Sequence, residues 1–167
     1  MPSYDIRPLD LTSNTEVDHV CVYSLMTLWE SRPEMRVGPS QLPHFGFEEH
    51  KQIILAGADS PNHQFLVARD ADLRVIGHSI AVIREGEAPY GYLWSRYVLP
   101  AYRRQGISRD FLNRNLAWMR SRPVAYCEVH VHVDNMALRG MYERAGFKAV
   151  DRRTERWTYL VYRHDLL

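Results

Sequence analysis

The sequence predicts an α/β fold: a mixed, mostly antiparallel sheet with one splayed parallel strand pair at its centre and helices on its flanks. Three observations carry that reading. Residues 92–99 are aromatic and β-branched, which marks a strand, and Pro100 closes it. Beyond a turn at 103–108, Ile107, Phe111, Leu112, Leu116 and Met119 recur at helical spacing, and a second strand follows at 124–133. Strand, turn, helix and strand form a crossover unit, so its two strands run parallel with a right-handed connection. Strand-like segments joined by short turns lie before and after the unit and supply the antiparallel part.

Taken in order, Tyr4 to Arg7 alternates briefly and stops at Pro8, a first strand. Ser13-Asn14-Thr15-Glu16 has the spacing of a capping box, with Ser13 as N-cap and Glu16 reaching back to it. Val17, Val20, Cys21, Ser24, Leu25 and Leu28 make the buried stripe of the helix that follows, and Pro33 ends it. Residues 34–45 hold Gly38, Pro39 and Pro43 and read as a loop; a short helix then runs from about 47 to 55 and closes near Gly57. Segments 64–69 and 73–84 are strands around a turn at Asp70-Ala71-Asp72, and a second turn at 85–89 leads into the central strand from Tyr90. After a helix at 135–145, segments 148–153 and 157–164 pair as a final hairpin.

A chain of 167 residues is one domain by length, spanning 1–167, and large enough to bury about two thirds of its unfolded surface. Net charge is +1, which gives no global drive toward nucleic acid or an anionic membrane. Arginine is dense only locally, at 103–122 and 152–156, as suits one anionic ligand rather than a polymer. No apolar run approaches the ~20 residues of a membrane span. Cys21 and Cys127 are the only cysteines and no signal peptide precedes them, so the expectation is a cytoplasmic protein with reduced thiols.

The turn at 103–108 is where chemistry enters. A helix N-terminus leaves backbone N–H groups unpaired and carries partial positive charge, which suits a phosphate or pyrophosphate. Gly106 permits close approach or positive φ, Ser108 is small, and Arg103, Arg104 and Arg109 add charge. Alone, the same residues describe an ordinary strand-to-helix turn with solvated arginines.

Two motifs in order add to this. Arg103, Gly106 and Ser108 resemble the pyrophosphate signature Gln/Arg-x-x-Gly-x-Gly/Ala of the GCN5-related N-acetyltransferase (GNAT) superfamily, with Ser108 departing slightly from Gly or Ala. Downstream, Asn135, Met141-Tyr142 and Gly146-Phe147 are similar to that family's fourth-helix signature. The resemblance implies acetyl-coenzyme A as co-substrate, with its pyrophosphate on the amides of Arg104, Gln105, Gly106, Ile107, Ser108 and Arg109, and Arg103 beside them. The pantetheine arm is expected along the strand at Tyr97 and Val98, hydrogen-bonded by Asn135, whose other role is helix N-cap. Val98 N–H is the implied oxyanion donor and Tyr142 the implied acid for the departing thiolate, a phenol of pKa ~10. Read without the family, Tyr142 is a core-facing aromatic in register with Leu138 and Ala145.

A base is harder to find. Many members carry a glutamate on the strand before the turn, and residues 92–98 have no carboxylate. On the neighbouring strand Glu128, His130 and His132 alternate onto one face, opposite Val129, Val131 and Val133. They read either as a wetted cleft containing the base, Glu128 and His130 being the first choices, or as a structural hydrogen-bonded network. His78 is a weaker candidate, and nothing points to Cys127 as a nucleophile. The helix–loop–helix region borders the acceptor pocket in the family, so Trp29, Glu30, Glu34, His44, Phe45 and Phe47 are candidate substrate contacts. Acidic Glu30, Glu34, Glu48 and Glu49 would suit a cationic amine.

The expected function is therefore transfer of an acetyl group directly from the thioester to a primary amine of a small molecule or peptide, with no metal assigned. An acyl-coenzyme A-binding regulatory module without turnover is the second class, supported only by the missing strand glutamate. A nucleic-acid module is the third and conflicts with the near-neutral charge. Homodimerisation through the C-terminal strands is the one oligomeric route suggested.

Overall fold

A computed structural model describes residues 4–32, 38, 40–44, 46–57, 60–155 and 157–167. Its elements are β1 (Tyr4–Pro8), α1 (Asn14–Ser31), α2 (Phe47–Ala56), β2 (His63–Asp70), β3 (Val75–Arg84), β4 (Tyr90–Val98), α3 (Ile107–Arg120), β5 (Tyr126–His132), α4 (Met136–Arg144), β6 (Lys148–Thr154) and β7 (Thr158–Asp165). Seven strands form one sheet in the order β1-β2-β3-β4-β5-β7-β6. Every neighbouring pair is antiparallel except β4 and β5, which run parallel. The α/β architecture with a central parallel pair is thus the one expected. None of the described helices is long and apolar enough to cross a membrane.

The sheet is covered on both faces by helices. On one face α1 and α2 pack Val17, Val20, Cys21 and Ile54 against Phe65, Val67 and Ile80. On the other, Phe111 and Ile107 of α3 meet Leu66, Ala68 and Ile76, while Leu112, Leu116 and Met119 join Leu93, Val129, Tyr142 and Phe147. Gly91 lets α3 lie this close, since a Cβ there would fall 2.3 Å from Met119 Sδ.

One irregularity opens the sheet. The β3–β4 register steps from Ile80↔Ser95 to Ala81↔Leu93, leaving Trp94 as an extra residue in β4. A bulge of this kind bends its strand and ends pairing. Accordingly β4 and β5 pair only at Gly91↔Cys127 and Tyr92↔Glu128, whereas β5 pairs with β7 along its whole length. Beyond the bulge the two central strands part.

Four expectations need correction. Glu16 does not reach back to the N-cap: Ser13 Oγ accepts from Glu16 N, but the buried Glu16 carboxylate binds Arg7 at 2.5 Å, Arg69 and the Asp10 amide. Two guanidiniums compensate a buried carboxylate far better than one backbone N–H. β3 begins at Val75 rather than Leu73, because Leu73 takes positive φ (64°) in a turn organised by the Asp70 carboxylate. β5 is shorter than 124–133, running Tyr126–His132. In α1, Leu28 is half-buried while Tyr23, whose hydroxyl donates to Val75 O at 2.7 Å, is in the core. Pro33, Glu34, Pro39, Phe45 and Arg156 lie outside the described residues.

Candidate active site

The parted strands open into a cleft of about 1070 Å³ whose floor is the N-terminus of α3. Gly106 caps that helix at φ 96° with no side-chain hydrogen bond, and Arg104 takes φ 64°. A turn of this kind aims successive backbone N–H groups at one point, an anion-binding concavity reinforced by the helix dipole. Of the residues expected here, Tyr97, Val98, Arg103, Arg104, Gly106, Ile107, Ser108, Arg109 and Asn135 line the cleft. Gln105 does not; its amide turns back to Ala101 O at 3.5 Å. Asn135 caps α4, its Oδ1 accepting from Leu138 N at 3.1 Å, while it faces the cleft.

Arg103 has a second set of partners. Its Nε donates to Val98 O at 2.9 Å and its Nη2 to both carboxylate oxygens of Glu30, at 3.0 and 2.9 Å. Glu30 also accepts from the Tyr97 hydroxyl at 3.0 Å. Burial pushes the Tyr97 phenol up to about 12, and the Glu30 carboxylate adds to the effect.

A smaller cavity of about 190 Å³ adjoins the cleft. The two share Thr27, Ser31, Arg96, His132 and Leu138, so they meet where β4 and β5 separate. Arg96 Nη2 donates to Tyr142 Oη at 3.1 Å and lies 3.4 Å from Met141 Sδ, with the guanidinium 5.1 Å from the Tyr142 ring centre. Tyr142 belongs to the core and also lines the smaller cavity. Burial raises its pKa, with the Arg96 charge opposing.

On β5 the three ionisable residues separate into two environments. His130 and His132 line the smaller cavity, whereas Glu128 lines neither. Glu128 is buried beneath His130: Oε1 accepts from His130 Nε2 at 2.8 Å and Oε2 from Arg163 Nε at 3.0 Å. With both oxygens engaged inside the protein, Glu128 cannot meet a substrate amine directly. His130 is sandwiched by Tyr159 (4.7 Å between ring centres) and the edge of Tyr92 (5.2 Å). His78 is fully buried, its Nε2 2.9 Å from Ser95 Oγ, and burial drives its pKa down to about 3. Such an imidazole is no base for a substrate it cannot touch. Cys127 is equally enclosed, and burial pushes its thiol up.

The α1 residues that line the smaller cavity are not the ones expected as acceptor contacts. Thr27, Leu28, Ser31 and Arg32 line the smaller cavity; Trp29, His44 and Phe47 line neither, and Glu30 faces the larger cleft. Glu48 and Glu49 are exposed on α2 and line neither cavity, and Glu34 and Phe45 lie outside the described residues. Sequence reasoning missed Arg96, Arg32, Trp157 and Tyr159. Only Arg96 carried a signal: a lone cation inside an otherwise aromatic and aliphatic central strand. Among the described residues no group of three or more His, Cys, Asp or Glu could hold a metal ion.

Comparison with known proteins accords with this geometry. Residues 23–147 match the model of the Acetyltransferase (GNAT) family. GCN5-related N-acetyltransferase 6, chloroplastic, of Arabidopsis thaliana is 34% identical over 71 residues, 42% of this chain and 25% of that one. N-alpha-acetyltransferase daf-31 of Caenorhabditis elegans is 30% identical over 89 residues, 51% of this chain and 49% of that one. The chain thus spans from a quarter to about half the length of these curated relatives. Spermidine N-acetyltransferase from Vibrio cholerae, solved with CoA and spermine, superposes with a TM-score of 0.70 at 15% identity, over 98% of this chain and 96% of that one.

Proposed function

The chain belongs to the Acetyltransferase (GNAT) family, and from that premise we propose that it is an N-acetyltransferase moving an acetyl group from acetyl-coenzyme A directly onto a primary amine. The observation that carries the reading is the joining of two cavities at Arg96, which binds Tyr142 in the smaller one: a basic cleft on an uncapped helix N-terminus and a small aromatic chamber. The amides of residues 104–109 fit a pyrophosphate, with Arg103, Arg104 and Arg109 adding charge. Asn135 and the β4 backbone at Tyr97 and Val98 are suited to the pantetheine arm.

In this reading the amine enters the smaller cavity and must shed a proton, which at neutral pH costs roughly 4–5 kcal/mol for a group of pKa ~10.4. His130 takes that proton. Donating its Nε2–H to Glu128 leaves Nδ1 as the acceptor, so Glu128 is a positioning residue that fixes the tautomer and stabilises the imidazolium. The C–N bond forms as the C–S bond breaks, and charge developing on the acyl oxygen is met by Val98 N–H. Tyr142 supplies the proton for the departing sulfur. Its oxygen accepts from Arg96, which directs the phenol's own O–H elsewhere.

The chain acts here as a single cytoplasmic domain, with Cys21 and Cys127 reduced. Pairing of two copies through the C-terminal strands belongs to the same reading, β6 being an exposed edge along its length. The test is thiol release from acetyl-coenzyme A. Release should require both the protein and an amine; thiol appearing at the same rate without amine would overturn direct transfer.

A further inference from the structure

The smaller cavity carries the wrong charge for a polyamine. Among the described residues its lining includes Arg32 and Arg96 but a single carboxylate, Glu155, which accepts from the Tyr159 hydroxyl at 2.9 Å. Arg32 lies over the Trp157 ring at 4.0 Å from its centre. Arg96 faces no carboxylate among the described residues: its contacts there are the Tyr142 phenol and the Met141 sulfur, both made by Nη2. A guanidinium has five N–H donors in a planar fork, and Nε and Nη1 of Arg96 make none of these bonds.

A cationic wall beside the point of transfer repels a second ammonium and attracts an anion. Of the acids that would suit a polyamine, Glu30 is engaged by Arg103 and Tyr97, Glu48 and Glu49 sit in the exposed first turn of α2, and Glu34 lies outside the described residues. Size points the same way. About 190 Å³ is below the roughly 300–1,000 Å³ of drug-sized ligand sites, and Tyr92, Trp94, Trp157 and Tyr159 give it aromatic walls.

Resting on the acetyltransferase reading above, we propose that the acceptor is a small amine that also carries an anionic group, a carboxylate being the simplest. Arg96 and Arg32 hold the anion, bidentate pairing being the geometry a guanidinium offers a carboxylate. That grip turns the amine toward His130 and the thioester. An α-amino acid with an apolar side chain has all three parts: the anion, the amine and a body for the aromatic walls.

The test measures thiol release from acetyl-coenzyme A with glycine, leucine and phenylalanine, each beside its carboxamide, and with spermidine. The amides have the less basic amines, so their larger unprotonated fraction biases the assay against the expected result. At least one carboxylate should exceed both its amide and spermidine in kcat/KM by about tenfold or more, the discrimination expected when a half-buried cation loses its partner. Arg32→Gln should shrink that carboxylate-to-amide ratio by about threefold or more, chiefly through KM. Preference for spermidine or for the amides overturns the proposal and leaves the acetyltransferase reading standing. Absence of turnover with all seven also overturns it; coenzyme A binding to the same sample then separates the two, since the wider reading falls only if coenzyme A fails to bind.

Discussion

Arg96, on the far side of the β4 bulge, donates from Nη2 to the phenol oxygen of Tyr142 on α4 at 3.1 Å. The bond links β4 to α4 at the wall of the smaller cavity. Because the phenol oxygen is already an acceptor, its proton is left for another group, and burial holds that proton above the ordinary tyrosine range.

Tyr142→Phe should therefore lower kcat by about one to two orders of magnitude while leaving coenzyme A affinity nearly unchanged. Steady-state kinetics beside a calorimetric titration separates the two. Equal turnover in the variant would remove Tyr142 from the mechanism. In the native protein no alkaline loss attributable to this phenol should appear below pH ~10, because its pKa is raised rather than lowered.

Glu128→Gln should lower kcat by roughly tenfold to a hundredfold with little change in KM, since the carboxylate orients His130 without meeting substrate. A change confined to melting temperature, with kcat intact, would assign Glu128 a purely structural role.

Glu30→Gln should tighten coenzyme A binding severalfold. The substitution removes a negative charge from the cleft and frees the Arg103 guanidinium, while the amide still accepts from Tyr97. The pair is partly exposed, so its removal should cost little stability. Weaker binding would mean that the pair preorganises the cleft instead.

His78 makes stability depend on acid. Its folded pKa is about 3 against an unfolded value near 6.5, so below pH ~6.5 the unfolded chain binds a proton that the native state refuses. Stability should fall by up to about 1.4 kcal/mol per pH unit from there downward. Denaturant midpoints for native protein and His78→Gln, compared between pH 7 and 4.5, read it as a shallower slope in the variant.

Much of the fold was legible because local chemistry and tertiary structure agree: Pro8, Ser13, Gly57, Pro100 and Asn135 all punctuate elements near where sequence reading expects. The crossover unit was legible from two periodicities in sequence, and the order of β5, β7 and β6 was not, since hairpin pairing leaves the outer neighbour open. At the site, residues 103–109 were visible as a compact basic turn. Arg96 and Tyr142 are 46 positions apart, and their meeting depends on a bulge at Trp94 that no local pattern announces. The engagement of Glu30 was hidden for a similar reason: its partner Arg103 is 73 positions away.

In the proposed function everything depends on the uncapped start of α3 gripping the diphosphate of the acetyl donor. Calorimetric titration of coenzyme A into native protein and into Gly106→Val tests it most directly. Gly106 sits at φ 96°, where a β-branched residue is strained, and an added Cβ would come within 3.4 Å of Arg109 Nη2. The native chain should bind one coenzyme A, and a folded variant should bind it at least about tenfold more weakly. No heat with the native protein, or equal affinity in the two, would contradict it.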